Sequence, residues 1–342
     1  MEICTIRDVA RRAGVAVSTV SRVLNGKRDV SEATRKRVLE VVEACGYVQN
    51  GNARFLKQDR SEFAVIIVRG RRSVFLSDVA ERMLAYAQEG KTPFFTEYID
   101  EKDDEFDAMR HLYAQKRAGA FVFLGSRLDE RCEAVRAMGV PCVFATVDAT
   151  AREFGNASSV SIDDRAAARA VMDRLIGYGH ARIVIFGGNP EGDDPIARRY
   201  QGAVESLVSH GVTFDPEDSF CQVRFSLDGA YERAKAYFAQ HPDVTAAFAL
   251  SDTIAVGVIR ALHDLGRAVP RDVSVAGFDG TQMAGYFIPS IATVSQPAED
   301  IARESVVLLR ELMKGGQARH VTVDYALVDG ESIGKRAAAP TA

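Results

Sequence analysis

Between Ala16 and Gly26 the sequence gathers Val17, Ser18, Thr19, Ser21, Arg22 and Asn25: short hydroxyls, a guanidinium and an amide beside one branched apolar side chain. Such groups suit nucleic acid. Hydroxyls and amides reach phosphate oxygens, while an arginine can donate twice to guanine O6 and N7, worth about 1–3 kcal/mol of discrimination. Val17 offers only apolar contact, for instance to a thymine methyl, so the base step it faces should be read loosely. A second set lies far along the chain. Arg199 in "RRYQG" carries a planar fork suited to hydroxyl pairs or carboxylates, and Asp279 in "GFDG" is an acceptor at a strand end, where open α/β sheets bind ligands. Strings for hydrolysis or nucleotide binding (H-E-x-x-H, G-x-S-x-G, G-x-x-x-x-G-K-[ST]) are absent, so no catalytic residue and no cofactor is expected. The acidic run Asp100–Asp107 lacks the alternation of a calcium loop and reads as a helix start. The five cysteines stand apart with no C-x-x-C, so neither a disulfide framework nor a bound metal is expected.

These residues need elements to hold them. Thr5 and Asp8 have the spacing of a capping box, Ile6, Val9, Ala10 and Ala13 follow at helical spacing, and Gly14 ends the helix. A second helix runs from Ala16 or Val17 to Leu24, and a third starts at Ser31 as cap and ends at Gly46. Two short helices across a tight glycine turn, with a third in support, make a helix-turn-helix, and its second helix would present Val17, Ser18 and Arg22 to the major groove. Residues 47–61 are polar and read as a linker. Beyond them apolar runs alternate with helical stretches. Strands are predicted at 63–68, 92–98, 120–125, 141–147, 158–162, 182–188, near 220–224, 246–250, 273–279, 291–296 and finally near 321–328. The fold class is therefore an all-α helix-turn-helix head on an α/β body of two doubly wound subdomains, the architecture of a hinged binding protein.

Composition agrees. The 342 residues are 47% hydrophobic, enough for a conventional core, and no apolar run approaches the length of a membrane span. The N-terminus turns charged where a secretory segment would be apolar, so a cytoplasmic location with no membrane partner is expected. The formal net charge of −4 hides an asymmetry: residues 1–60 carry 12 Lys+Arg against 7 Asp+Glu, so a basic head sits on an acidic body.

The N-terminal run "TIRDVARRAGVAVSTVSRVLNGKRDVSEATRKRVLEVVEACGY" resembles the DNA-binding domain of the lactose-repressor (LacI/GalR) family of bacterial transcription regulators. "LIGYGHARIVIFGG", "LSDTIAVGVIRALHDLG", "VSVAGFDG" and "PSIATVSQP" are similar to the effector-binding body of the same family, so the resemblance covers about residues 5–328. It implies a cytoplasmic, nucleoid-associated homodimer that binds double-stranded, near-palindromic operator DNA and is governed by a small molecule, a sugar in most of the family. The DNA-binding set it implies is Thr5, Val17, Ser18, Thr19, Ser21, Arg22 and Asn25, with Ala53 and the wedge Leu56 in a hinge helix that enters the minor groove. Gln49 stands where proline is common and Gly51 costs up to ~1 kcal/mol of helix propensity, so this hinge is expected to be weaker than usual.

For the effector the resemblance implies Arg69, Phe75, Thr146, Arg199, Phe225, Ser251, Asp279 and Gln296, with Phe225 equally readable as core. Ser251 replaces a usual asparagine and Thr146 a common aspartate, while Arg69, Arg71 and Arg72 replace a neutral or acidic loop. Added positive charge at the mouth suggests a phosphorylated or acidic sugar, although the same arginines also suit a solvated or dimer-facing loop. His180, in a "GH" turn, reads as structural. The expected boundaries are a head at 1–48, a hinge at 49–61, an effector body at 62–330 (N-subdomain 62–161 with 291–320, C-subdomain 162–290 with 321–330) and a disordered tail at 331–342. The alternatives are a transporter's solute-binding protein, which shares the body but lacks such a head, and an enzyme, for which no nucleophile or metal cluster is in view.

Overall fold

The computed structural model describes residues 6–24, 30–44, 63–88, 90, 92–116 and 118–336. Two compact units divide between Ser61 and Glu62. In the first, helices α1 (Ile6–Ala13), α2 (Val17–Leu24) and α3 (Glu32–Ala44) form the expected trio. Val9, Ala10 and Ala13 of α1, Val20 and Val23 of α2 and Val38 of α3 are buried together. Small and β-branched side chains let such short helices approach closely. The turn after α1 has Gly14 at φ +65°, with Val15 N–H donating to Ala10 O at 3.0 Å and Gly14 N–H to Arg11 O at 3.3 Å. That bond pair closes a helix through a left-handed residue, a conformation that favours glycine. At α3 the Ser31 hydroxyl accepts from Thr34 N–H at 3.3 Å, the cap read from sequence.

The second unit runs in alternation: β1 (Ala64–Arg69), α4 (Val74–Gln88), β2 (Phe94–Ile99), α5 (Glu105–Lys116), β3 (Ala120–Leu124), α6 (Glu133–Met138), β4 (Cys142–Ala145) and β5 (Ala157–Ser161). Then follow α7 (Asp164–Gly177), β6 (Ile183–Gly187), α8 (Pro195–Ser209), α9 (Pro216–Ser219), β7 (Phe220–Gln222), α10 (Leu227–Gln240), β8 (Ala246–Ala249), α11 (Asp252–Asp264) and β9 (Ser274–Ala276). The chain ends its structured course with α12 (Gln282–Tyr286), β10 (Thr293–Ser295), α13 (Ala298–Met313), β11 (His320–Thr322) and β12 (Ala326–Val328). Two parallel sheets result, in the orders β11-β5-β4-β3-β1-β2 and β7-β6-β8-β9.

Both faces of each sheet are covered, which is why the strands read as continuous apolar runs. In β1, Ala64, Ile66 and Val68 join the core under α4 and α13, and Phe106, Phe123, Phe144 and Phe154 stack elsewhere in the same subdomain at centroid distances of 5.1–5.8 Å. Parallel pairing is in register from Ala64 with Ala120 to Val68 with Leu124. The carboxyl ends of these strands are thereby brought to one edge.

Three expectations change. The single final strand near 321–328 is two strands in different sheets: β11 extends the N-subdomain sheet beside β5, while β12 pairs antiparallel with β10. Crossing between subdomains requires that break. In addition, Ile291 and Val294 lie in the C-subdomain cores, with bridges Ala276–Ala292 and Asp279–Ser295 beside β9, so 291–295 packs with the C-subdomain although α13 packs on the N-subdomain. The tail is also not disordered up to Arg336. Val275 N–H donates to Ser332 O at 2.8 Å, Arg336 N–H donates to Tyr178 O at 2.9 Å, and His180 spans Thr245 Oγ1 and Gly334 O at 3.0 Å each. Burial lowers the His180 pKa, in keeping with a neutral ring that clips the tail. No described helix is long and apolar enough to cross a membrane.

Candidate nucleic-acid interface and ligand cleft

On the head, α2 turns Val20 and Val23 inward, so the positions between them face out. Val17 is 40% exposed, Ser18 and Arg22 are exposed, and Thr19 is half-buried. Ser21 lies in α2, but its side chain is outside the described residues, as are Thr5, Asn25, Ala53 and Leu56. An eight-residue helix with valine, serine and arginine at its exposed start and end is the right width and chemistry for a major groove.

In the second unit, the carboxyl edge of the C-subdomain sheet carries a buried ionic cluster. Arg199, on α8, donates from Nε to Asp164 Oδ1 at 2.8 Å and from Nη1 to Leu250 O at 2.8 Å and Asp279 Oδ1 at 3.3 Å. Its guanidinium lies over the Phe278 ring, 3.7 Å from the centroid, a cation–π contact in a dry setting. Asp279 also accepts from Gln296 Nε2 at 2.9 Å. Next to it Asp252 accepts from Thr281 N–H at 2.7 Å, Thr281 Oγ1 at 3.0 Å and Thr293 Oγ1 at 2.6 Å. Burial raises the pKa of both aspartates, that of Asp279 to about 7, against the pull of Arg199. Asp279 sits at φ +118°, and Gly280 follows at +70°, where a Cβ would also meet Ser295 Cα at 2.4 Å. On the opposite subdomain Thr146 has φ +70° at the end of β4, its amide bonded to Val160 O at 2.7 Å. Non-glycine residues in that region cost roughly 1–3 kcal/mol and cluster at binding sites.

Comparison with known proteins decides the assignment. Residues 5–50 match the family described as bacterial regulatory proteins of the lacI family, and residues 172–333 match a periplasmic binding protein-like domain. The HTH-type transcriptional regulator MalR of Clostridium butyricum is 32% identical, over 96% of this chain and 98% of its own length. The chain belongs to the lacI family of bacterial regulatory proteins. Catabolite control protein A of Priestia megaterium is 30% identical over 95% of both chains. Among solved structures, a complex of the transcriptional regulator CelR with cellobiose superposes with TM-score 0.71 at 27% identity, covering 96% of this chain and 99% of that one. Membership makes this chain a DNA-binding transcriptional regulator, and the reading as a transporter's solute-binding protein is not favoured.

For a lacI-family member, several expected effector residues are placed otherwise than the sequence suggested. Arg69 does not reach out as a ligand cation. It is held by Glu105 at 3.4 Å, by Gly125 O at 3.3 Å and by Glu101 O, with only 9% of its side chain exposed. Glu105 is itself buried and accepts from Ser126 Oγ at 2.9 Å and Arg127 N–H at 2.8 Å. Burial lowers the Arg69 pKa despite Glu105. Phe75 belongs to the N-subdomain core, because α4 starts early enough to turn it inward. Ser251 spends its hydroxyl as the cap of α11, accepting from Ile254 N–H at 3.2 Å. Phe225 packs over Gly188 and against the C-subdomain core, near enough that a Cβ on Gly188 would meet its ring at 2.9 Å. Arg71 and Arg72 are exposed along an open depression of about 370 Å³ with Ser73, Ser77, Asp78 and Glu81.

Sequence reading missed Asp164, Asp252, Asp148 and Asp194. The last caps α8 through Ala197 N–H at 2.9 Å, and its position one residue before Pro195 was a readable helix-start signal. Nothing in the sequence marks the other three as partners of a distant arginine or threonine. Among the described residues no group of His, Cys, Asp and Glu could hold a metal ion.

Proposed function

We propose that this chain represses sugar-related genes as a homodimer on a near-palindromic operator, under control of a neutral polyhydroxyl effector held between its two subdomains. The observation that carries the effector class is the cluster of Arg199, Asp279 and Gln296 at the carboxyl edge of the C-subdomain sheet. It offers fixed donors and acceptors around one cation that is already engaged by Asp164 and Asp279, an arrangement that suits hydroxyls rather than a further anion. The loss of Arg69 to Glu105 points the same way, and CelR carries cellobiose in the corresponding fold. Val17, Ser18, Thr19, Ser21 and Arg22 would read or flank the bases, with Thr5, Asn25, Ala53 and Leu56 completing the contact. Tyr286 and Ile288, 83% and 89% exposed on neighbouring turns of the C-subdomain, support a second copy as the dimer partner.

A phosphorylated or acidic sugar is the second reading, favoured only by Arg71 and Arg72, which are exposed beside two serines. Thermal stabilisation of the full chain by paired neutral and acidic sugars separates the two. Stabilisation by neutral disaccharides or pentoses that is lost in Gln296→Leu supports the first reading. Stabilisation by acidic members alone, lost in Arg71→Ala with Arg72→Ala, supports the second.

A further inference from the structure

We infer that the ligand cleft carries an electrostatic latch: three arginine–carboxylate groups that join the carboxyl edges of the two sheets and must part before the subdomains separate. Arg127, after β3, meets Asp194 at 3.5 Å before α8. Arg198, in the first turn of α8, meets Asp148, after β4, at 3.0 Å. Arg224, after β7, meets Asp100 at 3.3 Å and Glu101 beyond β2. Each contact thus crosses from one subdomain to the other, and the polarity alternates: the N-subdomain supplies one arginine and the C-subdomain two.

The latch is built rather than incidental, because its groups are positioned from within their own subdomains. Asp194 is fixed as a helix cap, and Arg198 is braced by Asp193 at 2.8 Å. Asp148 accepts from Thr150 N–H at 2.9 Å, and the backbone carbonyl of Glu101 is held by the buried Arg69. Arg127 has its amide on Glu105, the same carboxylate that holds Arg69. Arg69, expected at the cleft mouth from sequence, therefore acts on the latch from beneath, through Glu101 O and Glu105.

Placement relative to the hinge gives the device its leverage. The crossing segments run beside β5, β9 and β10, at one side of the sheets, as the bridges Ala276–Ala292 and Asp279–Ser295 show. β2 and β7 are the opposite edge strands, so Arg224 with Asp100 and Glu101 closes the side farthest from the hinge. A hinge rotation moves that pair most. Side-chain exposure runs from 14% at Asp194 to 56% at Arg224, so each pair favours closure by only a few-fold, and all three are reached by salt, the Arg224 pair most. Because they oppose the same motion, their effects multiply.

Its regulatory meaning rests on the effector reading above: ligand entry waits on the latch, and a bound ligand is retained by it. The latch itself is tested without ligand. Full-length protein with Cys4→Ser and Cys45→Ser, spin-labelled at Lys102→Cys and Asp228→Cys, reports the lip-to-lip distance by double electron–electron resonance. One short distance is expected at about 0.05 M KCl, with a longer population growing at least about threefold at about 0.5 M. Arg224→Glu should produce that growth at low salt, and adding Asp100→Arg and Glu101→Arg should reverse it. Arg198→Glu with and without Asp148→Arg repeats the test at the second pair. A distance distribution that ignores salt and both single reversals, or that stays open after the compensating changes, overturns the latch, whatever the effector proves to be.

Discussion

Arg69 ends β1 and Arg199 lies in the first half of α8, each near the carboxyl edge of its subdomain's parallel sheet, each with little of its side chain exposed, each expected from sequence to hold the effector. Their partners differ. Every group on Arg69 belongs to its own subdomain: Glu105, Gly125 O and Glu101 O tie the loops after β1, β2 and β3 together. Arg199 instead holds Asp279, which holds Gln296 on the segment leading out of β10 toward the N-subdomain. One arginine stiffens an edge, and the other couples a floor to a hinge. The residue type is the same in both cases, and the role is set by the carboxylates that the fold delivers to each.

The largest effect expected from that contrast is on Arg199→Ala. It strands Asp164 and Asp279 in a dry site, and breaking a buried pair in this way costs about 3–5 kcal/mol of stability. Denaturant unfolding monitored by circular dichroism should show it, together with loss of any sugar-induced stabilisation. Arg199→Lys should recover part of the stability and little of the ligand response, since an ammonium cannot reproduce the planar fork.

Arg69→Ala should cost less, about 2–3 kcal/mol, because Glu105 keeps its bonds from Ser126 and Arg127. Sugar-induced stabilisation should survive in this variant. Loss of the ligand response with the fold intact would break the comparison and return Arg69 to the ligand.

An exposed arginine supplies the third case. Arg22→Ala should weaken operator binding by about 1–3 kcal/mol, concentrated at one base step. Val17→Ala should change affinity less, through one apolar contact. Fluorescence anisotropy against single-base operator variants measures both, and uniform weakening across every variant would reduce Arg22 to a phosphate contact.

These contrasts show what was legible beforehand. Among the described residues of the head the three helices were readable, because helical spacing of Val9, Ala13, Val20 and Val23 and the stop at Gly14 are local properties. The alternating body was readable too, since buried parallel strands leave continuous apolar runs. Partnership across long separations was not. Glu105 lies in an acidic run that reads as solvated, yet Phe106 and Met109 bury that helix face and carry it under Arg69. Phe75 was implied as a ligand contact by the family resemblance, whereas α4 begins at Val74 and packs it inward. The break between β11 and β12 had no local mark because Asp324 and Tyr325 are ordinary strand-flanking residues.

The smallest effect concerns the proton on Asp279, and it probes the floor without removing a contact. Burial raises its pKa from 3.8 to about 7 in the folded chain, assisted by Asp252 and Asp164 and opposed by Arg199. Between those values the folded state binds more protons than the unfolded one, so this group's contribution is full at low pH and is lost as pH rises from about 4 toward about 7. The slope is at most about 1.4 kcal/mol per pH unit for one proton. Carboxylates such as Asp272, held near 2 by Arg271 and the Ala268 amide, act in the opposite direction and lose their contribution only below about 4. Asp279→Asn should therefore flatten the decline in unfolding midpoint between pH 5 and pH 7 (about the window the shift defines) while leaving the acid limb in place. An unaltered decline would mean that Asp279 stays ionised beside Arg199, making the floor a fixed charge pair like that of Arg69 and Glu105 and erasing the distinction between the two edges.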